Sequence, residues 1–262
     1  MRIKRYQVDA FTNTLFAGNP AAVCVVDQPL SNSLMQSIAT ENNLAETAFV
    51  WGRGSEYEIC WFTPVCEVDL CGHATLASAH ALMVEEGIAE DTIRFKSRLR
   101  GTLAVTRRGA FYELDFPRAS FARQGVDESL AECVSEIPVE YWSTGRDALL
   151  VYADSEAITR MRVDCGRLGG LKYRALVVTA AVQDCDFVSR FFAPSLGINE
   201  DAVTGSAHTV LAPFWSERLE KNKLVARQLS QRGGDLTCEV VGDRVMICGE
   251  AITYSTGTLL IG

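Results

Sequence analysis

The feature of this sequence that most limits what it can fold into is a pattern written twice. Phe62-Thr-Pro64 is followed by Glu67 and Asp69, then by Gly72-His73-Ala74 at the head of a run of small residues. Phe192-Ala-Pro194 is followed by Glu200-Asp201, then by Gly205-Ser206-Ala207 at the head of another. The copies lie 130 to 133 positions apart in a chain of 262 residues, so the period is half the length. Both run in one order: aromatic strand end, proline, acidic loop, glycine, helix. A repeat of this size implies a duplicated folding unit and a pseudo-two-fold molecule. The expected halves are 1–117, completed by a last strand at about 254–262, and 118–253. The polar, irregular stretch Pro117 to Gly125 marks the boundary.

The two helices have an unusual texture. Ala74 to Val84 carries no formal charge over eleven residues, and Ala207 to Trp215 is equally free of it. A helix that is apolar all round belongs in an interior, so each is expected to run through its own half, wrapped by strands. Only its N-terminus would emerge, and in a two-fold molecule the two N-termini would face each other across a gap. A helix N-terminus presents unpaired N–H groups and a partial positive charge, worth about 0.3–2 kcal/mol toward an anion. Gly72 and Gly205 let the backbone approach a ligand with no side chain between. Such a gap suits a small carboxylate, or a carbanion whose charge spreads into one.

Shorter-range signals fill in the halves. Strands are expected at Tyr6–Phe11, Ala21–Val26, Ala148–Tyr152 and Ala175–Thr179, with hairpins at 103–116 and 237–248. A helix capped by Ser31 or Ser33 should run to about Asn43, and a short one should cover Ser155–Met161. Arg232-Gly-Gly234 reads as a turn.

Several function classes are excluded by counting. The net charge of −8 has no basic tail or face to offset it, which speaks against a nucleic-acid partner. The densest basic stretch, Arg94 to Arg108, reads as the solvated side of two strands rather than a phosphate site. Nine cysteines with no CxxC spacing read as packed thiols in a reducing compartment. No signal peptide and no apolar run long enough to span a bilayer is visible, so a cytoplasmic location is expected, with no membrane partner. The three histidines, His73, His80 and His208, make no zinc-type spacing with any thiol. Cys66, Cys71 and His73 come nearest, and no metal is expected. Neither GxGxxG nor GxxxxGK[ST] occurs.

Four ordered blocks then carry a resemblance. They are Asp9-Ala-Phe11…Phe16-Ala-Gly-Asn-Pro-Ala-Ala-Val23, Asn43-Leu-Ala-Glu-Thr-Ala-Phe49, Phe62-Thr-Pro64…Asp69-Leu-Cys-Gly-His-Ala-Thr75 and Glu200-Asp-Ala-Val-Thr-Gly-Ser-Ala-His208. Together they resemble the PhzF-like phenazine-biosynthesis family. The resemblance implies the diaminopimelate-epimerase fold: an α+β molecule of two pseudo-symmetric halves, each a mostly antiparallel sheet curled around a central helix, with the active site between them. It also implies a homodimer and no cofactor, while the facing helix ends are what point to a small carboxylate-bearing substrate. By the same resemblance Glu46 is the catalytic glutamate, and His73 and Asp201 are the polar catalytic residues flanking the substrate. Gly72, Gly205 and Ser206 match the substrate contacts at the helix ends. Ala45 occupies a substrate-contacting position where some relatives carry serine, and Ala202 replaces the usual proline.

Taken on the residues alone, each assignment has a plainer rival. Glu46 lies in an apolar run, where desolvation would push its carboxyl toward neutrality and suit it to give and take a proton. The rival is an exposed glutamate at a helix end. His73 can equally be structural, Asp201 a helix cap and Ser206 a capping hydroxyl. Epimerases of this fold use two thiols, one before each helix glycine. Here the pair is Cys71 and Thr204, and a hydroxyl is too weak an acid for the second role. The expected activity is therefore a cofactor-independent isomerase with Glu46 as the single acid/base. A dehydratase or epimerase-like enzyme using Cys71, or a small-acid-binding protein without catalysis, remain as alternatives.

Overall fold

The computed structural model describes residues 1–99 and 101–262, so Arg100 of the basic stretch lies outside it. The chain divides into two compact units, Met1–Phe116 with Met246–Gly262, and Pro117–Val245.

The first unit contains β1 (Arg2–Ala10), β2 (Asn19–Val25), α1 (Asn32–Asn42), β3 (Glu46–Arg53) and β4 (Glu56–Phe62). It continues through β5 (Glu67–Val68), α2 (Gly72–His80), β6 (Thr92–Ser97), β7 (Gly101–Arg108) and β8 (Phe111–Pro117). Going across from β1, the pairings are antiparallel to β2, parallel to β3, antiparallel to β4, parallel to β6 and antiparallel to β7. Each parallel step needs a crossover, which α1 supplies between β2 and β3 and α2 supplies between β4 and β6.

The second unit contains β9 (Ala122–Gln124), α3 (Glu128–Ala131), β10 (Glu140–Ser143), β11 (Asp147–Val151), α4 (Ser155–Arg160) and α5 (Cys165–Leu168). Then come β12 (Ala175–Ala181), β13 (Phe187–Ala193), β14 (Ile198–Asp201), α6 (His208–Leu219), β15 (Lys223–Gln228) and β16 (Gly234–Val241). Across from β10 the pairings are antiparallel to β11, parallel to β12, antiparallel to β13, parallel to β15 and antiparallel to β16. The alternation is the same as in the first unit, and α6 occupies the crossover that corresponds to α2. The duplication seen in two short motifs therefore extends to the order of strand pairing. Beyond β17 (Arg244–Gly249), β18 (Ala251–Leu260) pairs antiparallel with β1 along its length.

All nine residues of α2 are buried. The helix packs on β1, β2, β3, β7 and β18, and glycine, alanine, serine or threonine at six of its nine positions lets strands approach from every side. Leu76 and Leu82 are fully buried, each contributing about 1.5–3 kcal/mol by leaving water. Past His80 the helix widens into a π-helical turn, Ala81–Glu85, where the sequence pattern expects regular helix to Val84. His80 anchors this end: its Nδ1 pairs with the Tyr112 hydroxyl at 2.9 Å and its Nε2 with Thr253 Oγ1 at 3.0 Å.

Central helix α6 carries Pro213, which lacks the N–H that would bond the carbonyl of Thr209. The Ala119 N–H fills that carbonyl at 3.1 Å. The irregular segment after Pro117 is thus fixed by a defect in the helix it passes. Arg94, Lys96, Arg107 and Arg108 are solvent-exposed on β6 and β7. The nine cysteines are free thiols, five buried and four half-buried. Among the described residues no helix is long and apolar enough to cross a membrane.

Candidate active site

Glu46 is the first residue of β3, and only 8% of it is exposed. The rival reading, an exposed helix-end glutamate, fails: α1 ends four residues earlier, with Asn43 in the left-handed conformation that stops it. Because β2 and β3 run parallel, with Ala21 opposite Glu46, their N-terminal ends lie side by side. Asn19 opens β2 and Glu46 opens β3. The His73 ring, 3% exposed in the first turn of α2, is held between those two ends. Asn19 Nδ2 donates to His73 Nδ1 at 3.1 Å. That bond leaves the ring proton on Nε2, which lies 3.3 Å from Glu46 Oε2. The contact is close but not aligned as a hydrogen bond. Such catalytic contacts commonly tighten only when substrate is bound. Burial lowers His73 to about 3, so the ring is neutral at physiological pH.

The approach to Asn19 is locally strained. Phe11 and Phe16 both adopt positive φ, 63° and 71°, which bulky residues rarely accept. The buried Asp9 carboxylate secures the loop by accepting the Phe16 N–H at 3.1 Å. Gly18 is required, since a Cβ there would sit 2.3 Å from the Ala10 carbonyl oxygen. The string from Asp9 to Val23 is therefore a device for presenting Asn19 to His73.

Cys71 is buried at the N-cap of α2 and makes no side-chain capping bond. Its Sγ lies 3.4 Å from His73 Nδ1. Gly72 is buried beside it, and Ala45 is half-buried just ahead of β3. One ligand atom each from Glu46, Cys71 and His73 falls within 4.8 Å of the others. Sequence spacing brings Cys66 nearest to these residues. The fold instead turns Cys66 toward the Thr63 hydroxyl at 3.7 Å and delivers Glu46 from a different strand.

In the second unit Asp201 ends β14 and is buried. It does not cap the helix; Thr204 holds that position, again with no side-chain capping bond. The Thr204 hydroxyl donates to Asp201 Oδ2 at 2.6 Å and accepts from Gln228 Nε2 at 3.1 Å. Gln228 Nε2 also donates to the Asp201 carbonyl at 2.8 Å, and Gln228 Oε1 accepts the Thr204 N–H at 2.8 Å. Gln228, fully buried at the end of β15, was invisible to sequence reasoning because one glutamine in a strand carries no spacing signal. Gly205 is buried, and Ser206 is half-buried, its carbonyl accepting from the Thr209 hydroxyl at 2.8 Å. His208 Nδ1 donates to the Thr204 carbonyl at 2.8 Å. Burial lowers this ring to about 4.

A family model described as "Phenazine biosynthesis-like protein" matches residues 8–257. The chain belongs to the PhzC-PhzF family. A protein of Pseudomonas aeruginosa named an uncharacterized isomerase is 47% identical over 259 residues, which cover 99% of each chain. A crystal structure of a PhzF-family phenazine biosynthesis protein from Enterococcus faecalis superposes with a TM-score of 0.95 at 44% identity, over 100% of both chains. A hydroxyproline epimerase from Agrobacterium vitis, at 11% identity, aligns over 98% of this chain and 92% of its own with a TM-score of 0.64, a likeness of fold alone. The architecture is thus the mixed α/β fold shared by PhzF proteins and epimerases.

Proposed function

We propose that this PhzF-family protein is an isomerase that moves one proton within a small carboxylic acid, using Glu46 as its single acid/base. The isomerase class agrees with the names of relatives that match over nearly the whole chain. One observation carries the finer reading: a buried carboxylate at a strand end, facing the ring proton of a neutral histidine whose tautomer is set by Asn19. The Glu46 carboxylate takes a proton from one carbon, and the freed electron pair shifts into adjacent unsaturation. Glu46 then returns a proton to another carbon, part of it exchanged with solvent while it rides on the carboxyl, so the product has the formula of the substrate. His73 Nε2–H is placed to donate to Glu46 or to a substrate oxygen while charge develops. The first turn of α2, without a side-chain cap, offers N–H groups to a carboxylate. Asp201, its carboxylate pre-set by Thr204, is suited to orient a hydroxyl or amino group of the substrate.

The test is a panel of small cyclic and amino acids incubated with enzyme in D₂O and followed by NMR. Solvent exchange and isomerisation are expected for one class of acid. Glu46→Gln should lower that rate about 10²–10⁴-fold with folding intact. Turnover retained in Glu46→Gln would refute the assignment. A second reading is favoured by the 3.4 Å approach of Cys71 Sγ to His73 Nδ1, which could support a thiol base in a lyase. Loss of activity in Cys71→Ala with Glu46→Gln tolerated would select it.

A further inference from the structure

We infer that Glu46, Cys71 and His73 also form a trap for Zn²⁺, at which a bound ion switches the enzyme off. This goes beyond the isomerase reading, and direct metal binding tests it independently of turnover.

The donors are one sulfur, one imidazole nitrogen and one carboxylate oxygen. That mixture suits Zn²⁺ and other borderline or soft divalent ions, and it does not suit Mg²⁺ or Ca²⁺, which require oxygen cages. Zinc–ligand bonds of about 2.0–2.3 Å place tetrahedral donors roughly 3.3–3.7 Å apart. His73 Nε2 and Glu46 Oε2 are already 3.3 Å apart, Cys71 Sγ lies 3.4 Å from His73 Nδ1, and one ligand atom from each of the three residues falls within 4.8 Å of the others. An edge at that limit closes by about one ångström through a side-chain rotation of Cys71 at the N-cap of α2. All three residues are buried, so an ion held there is protected from competing water.

The surroundings complete the site. A metal-bound imidazole normally donates its second ring N–H to a fixed partner. Coordination through Nε2 moves the ring proton to Nδ1, where Asn19 sits. A half-turn of the Asn19 amide presents its oxygen to that proton. Coordination also releases the thiol proton of Cys71 to solvent, so binding strengthens as pH rises. Three protein donors leave a fourth position open to water or to a substrate carboxylate. With its lone pairs on zinc, Glu46 can no longer accept a proton from carbon, so the bound ion is an inhibitor.

The experiment uses the full chain, free of substrate, titrated with Co²⁺ as a spectroscopic substitute for zinc and then with Zn²⁺. One equivalent of Co²⁺ should give a near-ultraviolet thiolate-to-metal charge-transfer band with tetrahedral visible bands, and Zn²⁺ should displace it. Zinc-edge X-ray absorption should show one sulfur among lighter donors. Cys71→Ser should abolish the charge-transfer band, Cys66→Ser should leave it intact, and Asn19→Ala should weaken binding about tenfold. If Cys71→Ser does not fold, Glu46→Gln serves instead and should weaken Co²⁺ binding and shift the visible bands. Absence of stoichiometric binding, a charge-transfer band persisting in Cys71→Ser, or an unchanged spectrum and Kd in Glu46→Gln would each overturn the site.

Discussion

The start of α2 and the start of the helical stretch that becomes α6 occupy corresponding crossovers of two units with the same order of strand pairing. Their polar groups are nevertheless arranged in opposite ways. At α2 the polar groups converge on one point: a carboxylate, a thiol and an imidazole lie within 4.8 Å. At the second start they close on one another. The Thr204 hydroxyl gives its proton to Asp201 and receives one from Gln228, which also bonds two backbone groups. Even the histidines differ. His73 accepts at Nδ1 and carries its proton on Nε2, whereas His208 donates from Nδ1 to a carbonyl. A duplicated framework thus carries one end where polar groups converge and one where they close on one another. The Thr204 hydroxyl is a weak acid held between Asp201 and Gln228, and the proposed reading accordingly gives the proton transfer to Glu46 alone.

Substitutions at the two ends should have different consequences. The largest effect should come from Glu46→Gln, a loss of about 10²–10⁴-fold in turnover with an unchanged circular dichroism spectrum. At the second start, Gln228→Ala should instead act on stability. It strands the Thr204 N–H and the Asp201 carbonyl, at about 1–3 kcal/mol each, and should be read as a lowered midpoint in urea. Smaller is the pH response shared by both ends. Burial lowers His73 to about 3 and His208 to about 4, against an ordinary 6.5. Between those values the unfolded chain binds protons that the folded one refuses, so stability is full above about pH 6.5 and falls on acidification. The slope should approach 1.4 kcal/mol per pH unit for each ring, roughly, and His208→Asn should reduce it by about one ring's share. The smallest effect expected is that of Cys71→Ala on turnover, less than about tenfold, in contrast to its decisive effect on metal binding.

Much of this was legible in the sequence, for reasons that can be named. The glycine-headed apolar runs disclosed the two central helices, because charge is excluded where strands surround a helix. Ser31 gave away the start of α1, where its hydroxyl accepts the Leu34 N–H at 3.3 Å. The resemblance named Glu46, His73 and Asp201, and all three are buried in the structure. What stayed hidden were the partners contributed by remote strands. Asn19 reaches His73 from 54 positions away, and Gln228 reaches Thr204 from 24. Neither residue type announces such a bond, since an amide is equally at home in a turn or on a surface. Asp201 looked like a cap because acidic residues before a helix usually are, and only the β14 register shows it one strand end too early. Pro213 was similarly silent about the carbonyl it would leave for Ala119.

The difference between the two ends is tested most directly by deuterium uptake from solvent into a turned-over acid, measured side by side in Glu46→Gln and Thr204→Val. Uptake should collapse in Glu46→Gln and persist in Thr204→Val within about tenfold of the parent enzyme. Equal collapse in both proteins, or uptake surviving in Glu46→Gln, would contradict a single reactive carboxylate.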